Sequence, residues 1–208
     1  MLSIRLIPLL DSSAEEIERE TILLRSLSHP NILRVHECFI WEQYLAIVEK
    51  YASKFSYEDY EGDEYKIAVE VTSGLLYLHD TKHIMHGNIT TEDIYLDANG
   101  TSMLGGMSRL QHTADDPDSV YSTAPERLDG RYGFASDIWQ LGVVFLKLCL
   151  GKRFNKEPHS SSVELQSLVC DISDNILRQL IEKMLDSEMN HRPTVSKVFS
   201  ILKQTDEK

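Results

Sequence analysis

The segment Ile84-Met85-His86-Gly87-Asn88-Ile89-Thr90-Thr91-Glu92-Asp93-Ile94-Tyr95-Leu96 gathers an imidazole, an amide and carboxylates in one short loop, where proton transfer and metal binding are the chemistries to test. Asn88 cannot take up a proton as a carboxylate does, and a positioned base contributes about 10²- to 10⁴-fold to a rate. Asp93 offers an oxygen to a hard cation, but a single protein ligand is a poor site for magnesium, which sheds its water reluctantly. A solvated loop acid is the plainer role for Asp93. Downstream, Asp115, Asp116, Asp118, Ser119, Tyr121, Ser122 and Thr123 form an acidic, hydroxyl-rich stretch. It looks phospho-regulated or phosphate-mimicking, and its default reading is a solvated acidic loop.

These residues need a frame. Leu2 to Ile7 reads as a short apolar strand. Ser13-Ala14-Glu15-Glu16 matches a capping box, in which a hydroxyl and a carboxylate satisfy the exposed donors of a helix start. The helix runs to about Ser28 with Ile17, Thr21, Leu24 and Leu27 on one stripe, and His29-Pro30-Asn31 ends it. Glu20 falls beside that stripe, where an acid needs a partner. Leu33 to Ile40 and Tyr44 to Val48 read as a hairpin around Trp41-Glu42-Gln43. Ala52 to Asp63 is polar, aromatic and acidic, and looks like a linker.

From Glu64 to His79 a helical stripe of Ile67, Val71, Leu75 and Leu78 leads into the opening loop. Ile94 to Asp97 and Thr101 to Leu104 flank the turn signal Ala98-Asn99-Gly100. After an irregular stretch from Gly105 to Arg131, Ser136-Asp137 reads as the cap of a helix. That helix is apolar nearly all round, through Ile138, Trp139, Leu141, Val143, Val144, Phe145, Leu146 and Leu148, and so has to be buried on all sides. Further helices are expected at Ser162 to Cys170, Ile176 to Leu185 and Thr194 to Lys203. Strands first and helices after make an α+β chain.

Composition narrows the function classes. The 208 residues are 42% hydrophobic and 26% charged, an ordinary globular balance. A net charge of −12 and a pI near 5.1 oppose nucleic acids and anionic membranes as partners, because both require a basic surface. The longest apolar run, Leu141 to Leu150, contains Lys147 and falls short of the roughly 20 residues of a spanning helix. Arg5 and Pro8 break the apolar start, which therefore does not read as a secretory signal. Three cysteines, Cys38, Cys149 and Cys170, are odd in number and lack metal-type spacing, which favours a reducing, cytoplasmic compartment.

Taken in order, the segments resemble the protein kinases. In that family a catalytic loop H-R-D-L-x-x-x-N supplies a base and a magnesium ligand. His86 and Ile89 fit its first and fourth positions, while Gly87, Asn88 and Asp93 stand for its Arg, Asp and Asn. Glu20 lies nine residues before His29-Pro30-Asn31-Ile32, as the ion-pairing Glu of the family's C helix does. Thr123-Ala124-Pro125-Glu126 matches the A-P-E that closes the activation segment. Ser136-Asp137-Ile138-Trp139-Gln140-Leu141-Gly142-Val143 resembles the start of the central F helix, and Arg192-Pro193-Thr194 the Arg near the end of the large lobe. The Ser/Thr kinases are the nearest in flavour. Ile47-Val48-Glu49-Lys50-Tyr51 and Gly106-Met107-Ser108-Arg109 point to the NIMA-related group as one possibility.

The resemblance implies a two-lobed fold: a small lobe over residues 1–52, a hinge over 53–63 and a mostly helical large lobe over 64–208. The small lobe is truncated, carrying the family's third to fifth strands and C helix but no Gly-rich strands. The resemblance further implies that Glu126 and Arg192 form a buried ion pair and that Asp137 holds the backbone of the catalytic loop. The parts for phosphoryl transfer are degenerate. Arg5 is the best match to the strand Lys; it keeps the positive charge and is placed to pair with Glu20, a structural bridge being favoured over phosphate binding. Ungapped counting puts Gly106 at the metal-binding Asp of D-F-G; matching the flanks instead deletes Asp and Phe between Gly105 and Gly106. No acid lies between Asp97 and Asp115 in either register. Gly87 removes the Arg that reads a phosphorylated activation segment.

The function expected on this basis is that of a pseudokinase, a scaffold or allosteric partner of other proteins such as an active kinase or a signalling complex. No catalytic residue is expected at His86, Gly87 and Asn88, and no cofactor; ATP at Arg5 and Glu20 and magnesium at Asp93 are weak options. A residually active Ser/Thr kinase using Asp93 is the alternative, as is a kinase domain incomplete at its amino end.

Overall fold

The computed structural model describes residues 1–9, 12–58, 60, 62–107, 123–131, 133–156 and 162–206. Strand β1 (Leu2–Pro8) is followed by helix α1 (Ala14–Ser26) and the hairpin β2 (Val35–Trp41) and β3 (Tyr44–Lys50). These strands form an antiparallel sheet in the order β1-β3-β2. The capping box is present: Glu16 N–H donates to Ser13 Oγ, and the Glu16 carboxylate accepts from Ser13 N–H at 2.8 Å. Leu24 and Leu27 of the α1 stripe are buried, whereas Ile17 and Thr21 are half-buried at its margin.

The hinge region is more structured than a linker. Strand β4 (Ser53–Lys54) pairs with β5 (Ile94–Leu96), which pairs with β6 (Ser102–Leu104). Phe55 is buried and meets Tyr60 edge-on at 5.1 Å between ring centroids. Tyr57, Tyr60 and Tyr65 pack against the core, so these aromatics belong to lobe packing. Trp41, at 51% exposure, does not.

Helix α2 (Glu64–Leu76) ends in a wide turn over Tyr77–Thr81 that delivers the chain to the 84–90 loop. The central helix is α3 (Phe134–Leu150), followed by α4 (Ser162–Val169), α5 (Asn175–Met184) and α6 (Val195–Asp206). The helical span Phe134–Phe154, α3 with the turn that follows it, is long and apolar enough to cross a membrane, yet 78% of its apolar window is buried inside the protein. Even Lys147 is buried, its ammonium 5.4 Å from the Phe154 ring centroid and 5.7 Å from that of Tyr57. Ser136-Asp137 does not cap this helix. The cap is Gly133, and Asp137 sits within the first turn, buried. Its carboxylate is thereby free to serve a different segment of backbone.

Candidate functional site

Polar side chains within the apolar wall of α3 build the site. Asp137 accepts from three donors: the backbone N–H of His86 at 2.8 Å, that of Gly87 at 2.8 Å and His79 Nε2 at 2.8 Å. Gln140, one turn further along α3, accepts from Ile89 N–H at 3.0 Å. Two side chains of one helix face thus hold His86, Gly87 and Ile89 of the loop in place. Gly87 lies at φ 84°, a left-handed backbone that a side chain would strain. Arg127 covers its carbonyl, donating from Nη1 at 2.7 Å.

His86 is buried and its ring bridges two loops. Nε2 lies 2.7 Å from Gly105 O, which can only accept, so the proton is on Nε2. Nδ1 is then left to accept from Asn88 N–H at 3.4 Å. The imidazole is committed to architecture on both nitrogens. Asn88 follows half-buried, with an amide where a base would need a carboxylate.

Asp93 closes a short helical turn over Thr91–Asp93. Its Oδ2 accepts from Thr90 N–H at 3.0 Å and Thr90 Oγ at 2.8 Å, and its carbonyl accepts from Gly105 N–H at 2.7 Å. It is a half-buried structural acid rather than a solvated one. Burial raises its pKa, against the opposing pull of His86, the Thr90 bonds and Arg5. Gly106, at φ 71°, packs so closely on this carboxylate that a Cβ there would collide with Asp93 Oδ1. Among the described residues, no group of three or more His, Cys, Asp or Glu converges as a metal site.

Arg5 lies on β1 opposite Ile47, diagonal to Glu49 on β3. It forks onto Glu49 through Nε at 3.4 Å and Nη2 at 2.8 Å, and Nη2 also reaches Met107 O at 3.5 Å. Burial disfavours its charge, but the Glu49 bond and charge outweigh this and raise its pKa. Glu20 is buried on α1. The guanidinium thus ties the small sheet to the segment after β6, and Glu49 is a partner that the sequence does not single out.

Glu126, in a short turn over Pro125–Asp129, meets Arg192 fork to fork at 2.8 and 2.7 Å. Arg192 also donates to Asp186 O and Ala135 O, and its guanidinium stacks 4.9 Å from the Trp139 ring centroid. Burial pushes the Glu126 carboxyl up, but Arg192 and Ser136 hold it below the ordinary range. Cys38 and Cys149 are inert thiols, pushed by burial up to about 11 and about 12. The acidic stretch Asp115 to Ser122 lies outside the described residues, as do Ser108 and Arg109.

His79, Gln140, Arg127 and Glu49 were not singled out by the motifs. A signal existed for Gln140: it stands three residues after Asp137 in a helix otherwise apolar, so both share one face.

A family model described as the protein kinase domain matches residues 8–202. The chain is 30% identical over 213 residues to the mitosis inducer protein kinase cdr2 of Schizosaccharomyces pombe, covering 91% of this chain and 27% of that protein. It is 30% identical over 207 residues to the serine/threonine-protein kinase Nek8 of Danio rerio, covering 88% and 30%. With the probable cell cycle serine/threonine-protein kinase CDC5 homolog of Encephalitozoon cuniculi the identity is 23% over 211 residues, covering 89% and 44%. The chain spans less than half the length of each of these relatives.

Proposed function

Since the chain belongs to the protein kinase domain family, we propose that it is a pseudokinase, which keeps the family's framework and acts by binding other proteins. The observation that carries this reading is the pairing of Asp93 with Gly106: the acid at the family's Asn position is turned into a turn cap, and its carboxylate fills the space that a side chain at 106 would need. Phosphoryl transfer consists mostly of positioning and charge neutralisation. Here Asn88 supplies no base, residues 98–114 supply no carboxylate, and Arg5 is taken up by Glu49.

What is kept supports a binding role. Asp137, Gln140, Glu126 and Arg192 are placed to hold the loop and the large lobe rigid, which a docking platform needs as much as an enzyme does. The acidic charge of −12 disfavours nucleic acid and anionic membranes and favours protein partners, an active kinase among them. Three free thiols, of which Cys38 is buried, Cys149 half-buried and Cys170 exposed, fit a reducing cytoplasmic setting.

The test is incubation with labelled ATP, magnesium or manganese and generic protein substrates, alongside Asn88→Ala and Asp93→Ala. No incorporation above these controls is expected. A thermal scan with millimolar ATP and magnesium is expected to show no shift, because a ligand at 100 times its Kd would add about 2.7 kcal/mol. Incorporation that disappears in both variants would establish the alternative, a residually active Ser/Thr kinase.

A further inference from the structure

Away from the loop framework, α4 and α5 enclose a cavity of about 350 Å³ lined by Gln166, Val169, Cys170, Arg178, Glu182 and Asp186. It lies at the lower end of the roughly 300–1,000 Å³ of ligand sites, which suits one long side chain better than a helix or strand. Its walls are tied together, because Gln166 Nε2 donates to Leu185 O at 3.2 Å. Val169 gives it a buried apolar wall. The polar groups around it are weighted to acceptors. Gln166 commits its amide nitrogen to Leu185, which leaves its carbonyl oxygen to accept. Arg178 stands one turn before Glu182, yet its Nη2 turns back to Asn175 Oδ1 at 2.7 Å instead of pairing with that acid. Glu182 has no ion-pair or hydrogen-bond partner among the described residues. Half-buried Asp186 accepts from Glu188 N–H at 2.9 Å through Oδ1, and its Oδ2 lies 3.5 Å from His191 Nδ1, so lone pairs remain on both oxygens. Two acids against one guanidinium leave the lining negative.

A ligand matched to this lining carries a positive charge, several donors and a narrow apolar stem. Arginine is the protein side chain that has all three. Its planar fork presents five N–H donors and spans two acceptors at once, and its methylenes can lie along Val169. A neutral or acidic group would leave Glu182 and Asp186 unanswered. The net charge of −12 draws basic segments toward the chain and repels acidic ones. We propose that the cavity between α4 and α5 is a docking site for an arginine side chain presented by a basic segment of a partner protein, with Glu182 and Asp186 receiving the guanidinium. The inference gives the binding role proposed above a place and a partner class, and rests on that reading only for the occupant being a protein. Phosphate incorporation would overturn the pseudokinase reading and leave the cavity untouched, whereas a failed titration would remove the docking site without restoring catalysis.

The probe is the capped tripeptide acetyl-Gly-Arg-Gly-amide, titrated to about 10 mM, a range set for a millimolar contact of one side chain, and followed by NMR on isotope-labelled protein. Amide shifts are expected at Val169, Cys170, Glu182 and Asp186. The exposed Cys170 thiol is expected to be alkylated more slowly by iodoacetamide when the peptide is present. The same peptide with citrulline keeps the shape and loses the charge, and is expected to bind at least about fivefold more weakly. Glu182→Lys is expected to weaken the arginine peptide at least about tenfold, because it sets like charges together. Glu18→Lys makes the same change of net charge at an exposed site on α1 and is expected to leave binding within about twofold, its charge being screened at that distance. Absence of shifts at the cavity at the top of the range overturns the proposal. So does equal binding of the citrulline peptide, or an equal loss in Glu182→Lys and Glu18→Lys.

Discussion

Asp93 and Gly106 exclude a side chain from each other's space: any Cβ on Gly106 would run into Asp93 Oδ1, and Asp93 is pinned there by two bonds from Thr90. In the ungapped register of the resemblance to kinases these two positions align with the family's metal ligands, and here they form one packed contact.

Restoring an acid at 106 is therefore expected to fail twice. Gly106→Asp places a second carboxylate against a first and imposes a side chain at φ 71°. Backbone strain of about 1–3 kcal/mol and overpacking of about 1–3 kcal/mol predict a loss of stability without gain of ATP hydrolysis or transfer. Urea denaturation of Gly106→Asp, Asp93→Ala and the double variant measures it. The double variant should recover part of the loss, giving a coupling energy of about 0.5–3 kcal/mol. Purely additive losses would show that the contact is not what excludes the acid.

A different kind of dependence joins Asp137 to the loop. Its carboxylate is buried and accepts from His86 N–H, Gly87 N–H and His79, so Asp137→Ala strands three donors at once. With about 1–3 kcal/mol for each unsatisfied buried group, a loss of at least about 3 kcal/mol is expected. Hydrogen exchange should accelerate at His86 and Gly87 before the rest of the large lobe. Exchange rates unchanged at those two amides would mean that the loop is held by other contacts.

How far the sequence carries this argument differs between its parts. The capping box at Ser13 and Glu16, the hairpin and the burial of α3 were legible because each rests on spacing within a few residues. The Glu126–Arg192 pair was legible only through the resemblance to kinases, since nothing local links residues 66 apart. Glu49 escaped because its meeting with Arg5 depends on how β3 pairs with β1, a register that sequence patterns leave open. The local pattern reads Asp137 as a helix cap because Asp commonly is one; the structure starts the helix earlier, at Phe134, and turns the carboxylate on the loop, the role that the resemblance to kinases implies. Asp93 reads as solvated because its covering partner, Gly106, has no side chain to announce the contact.

The Glu126–Arg192 pair sets the acid limit of the fold. Both side chains are almost wholly buried, so Glu126→Gln or Arg192→Met alone is expected to cost about 3 to 5 kcal/mol, because either leaves a buried charge unmatched. Removing both charges should cost less than the sum of the single losses. The pH dependence follows from the lowered pKa of Glu126. Its stabilising contribution is present above the ordinary glutamate value of 4.5, where the unfolded carboxylate is ionised too, and is lost as pH falls through the lower folded value. Stability measured by urea midpoint should therefore fall more steeply with acid in the parent chain than in Glu126→Gln, which has no proton to take up. Parallel curves for the two between neutral pH and pH of about 3 would remove Glu126 from the acid response.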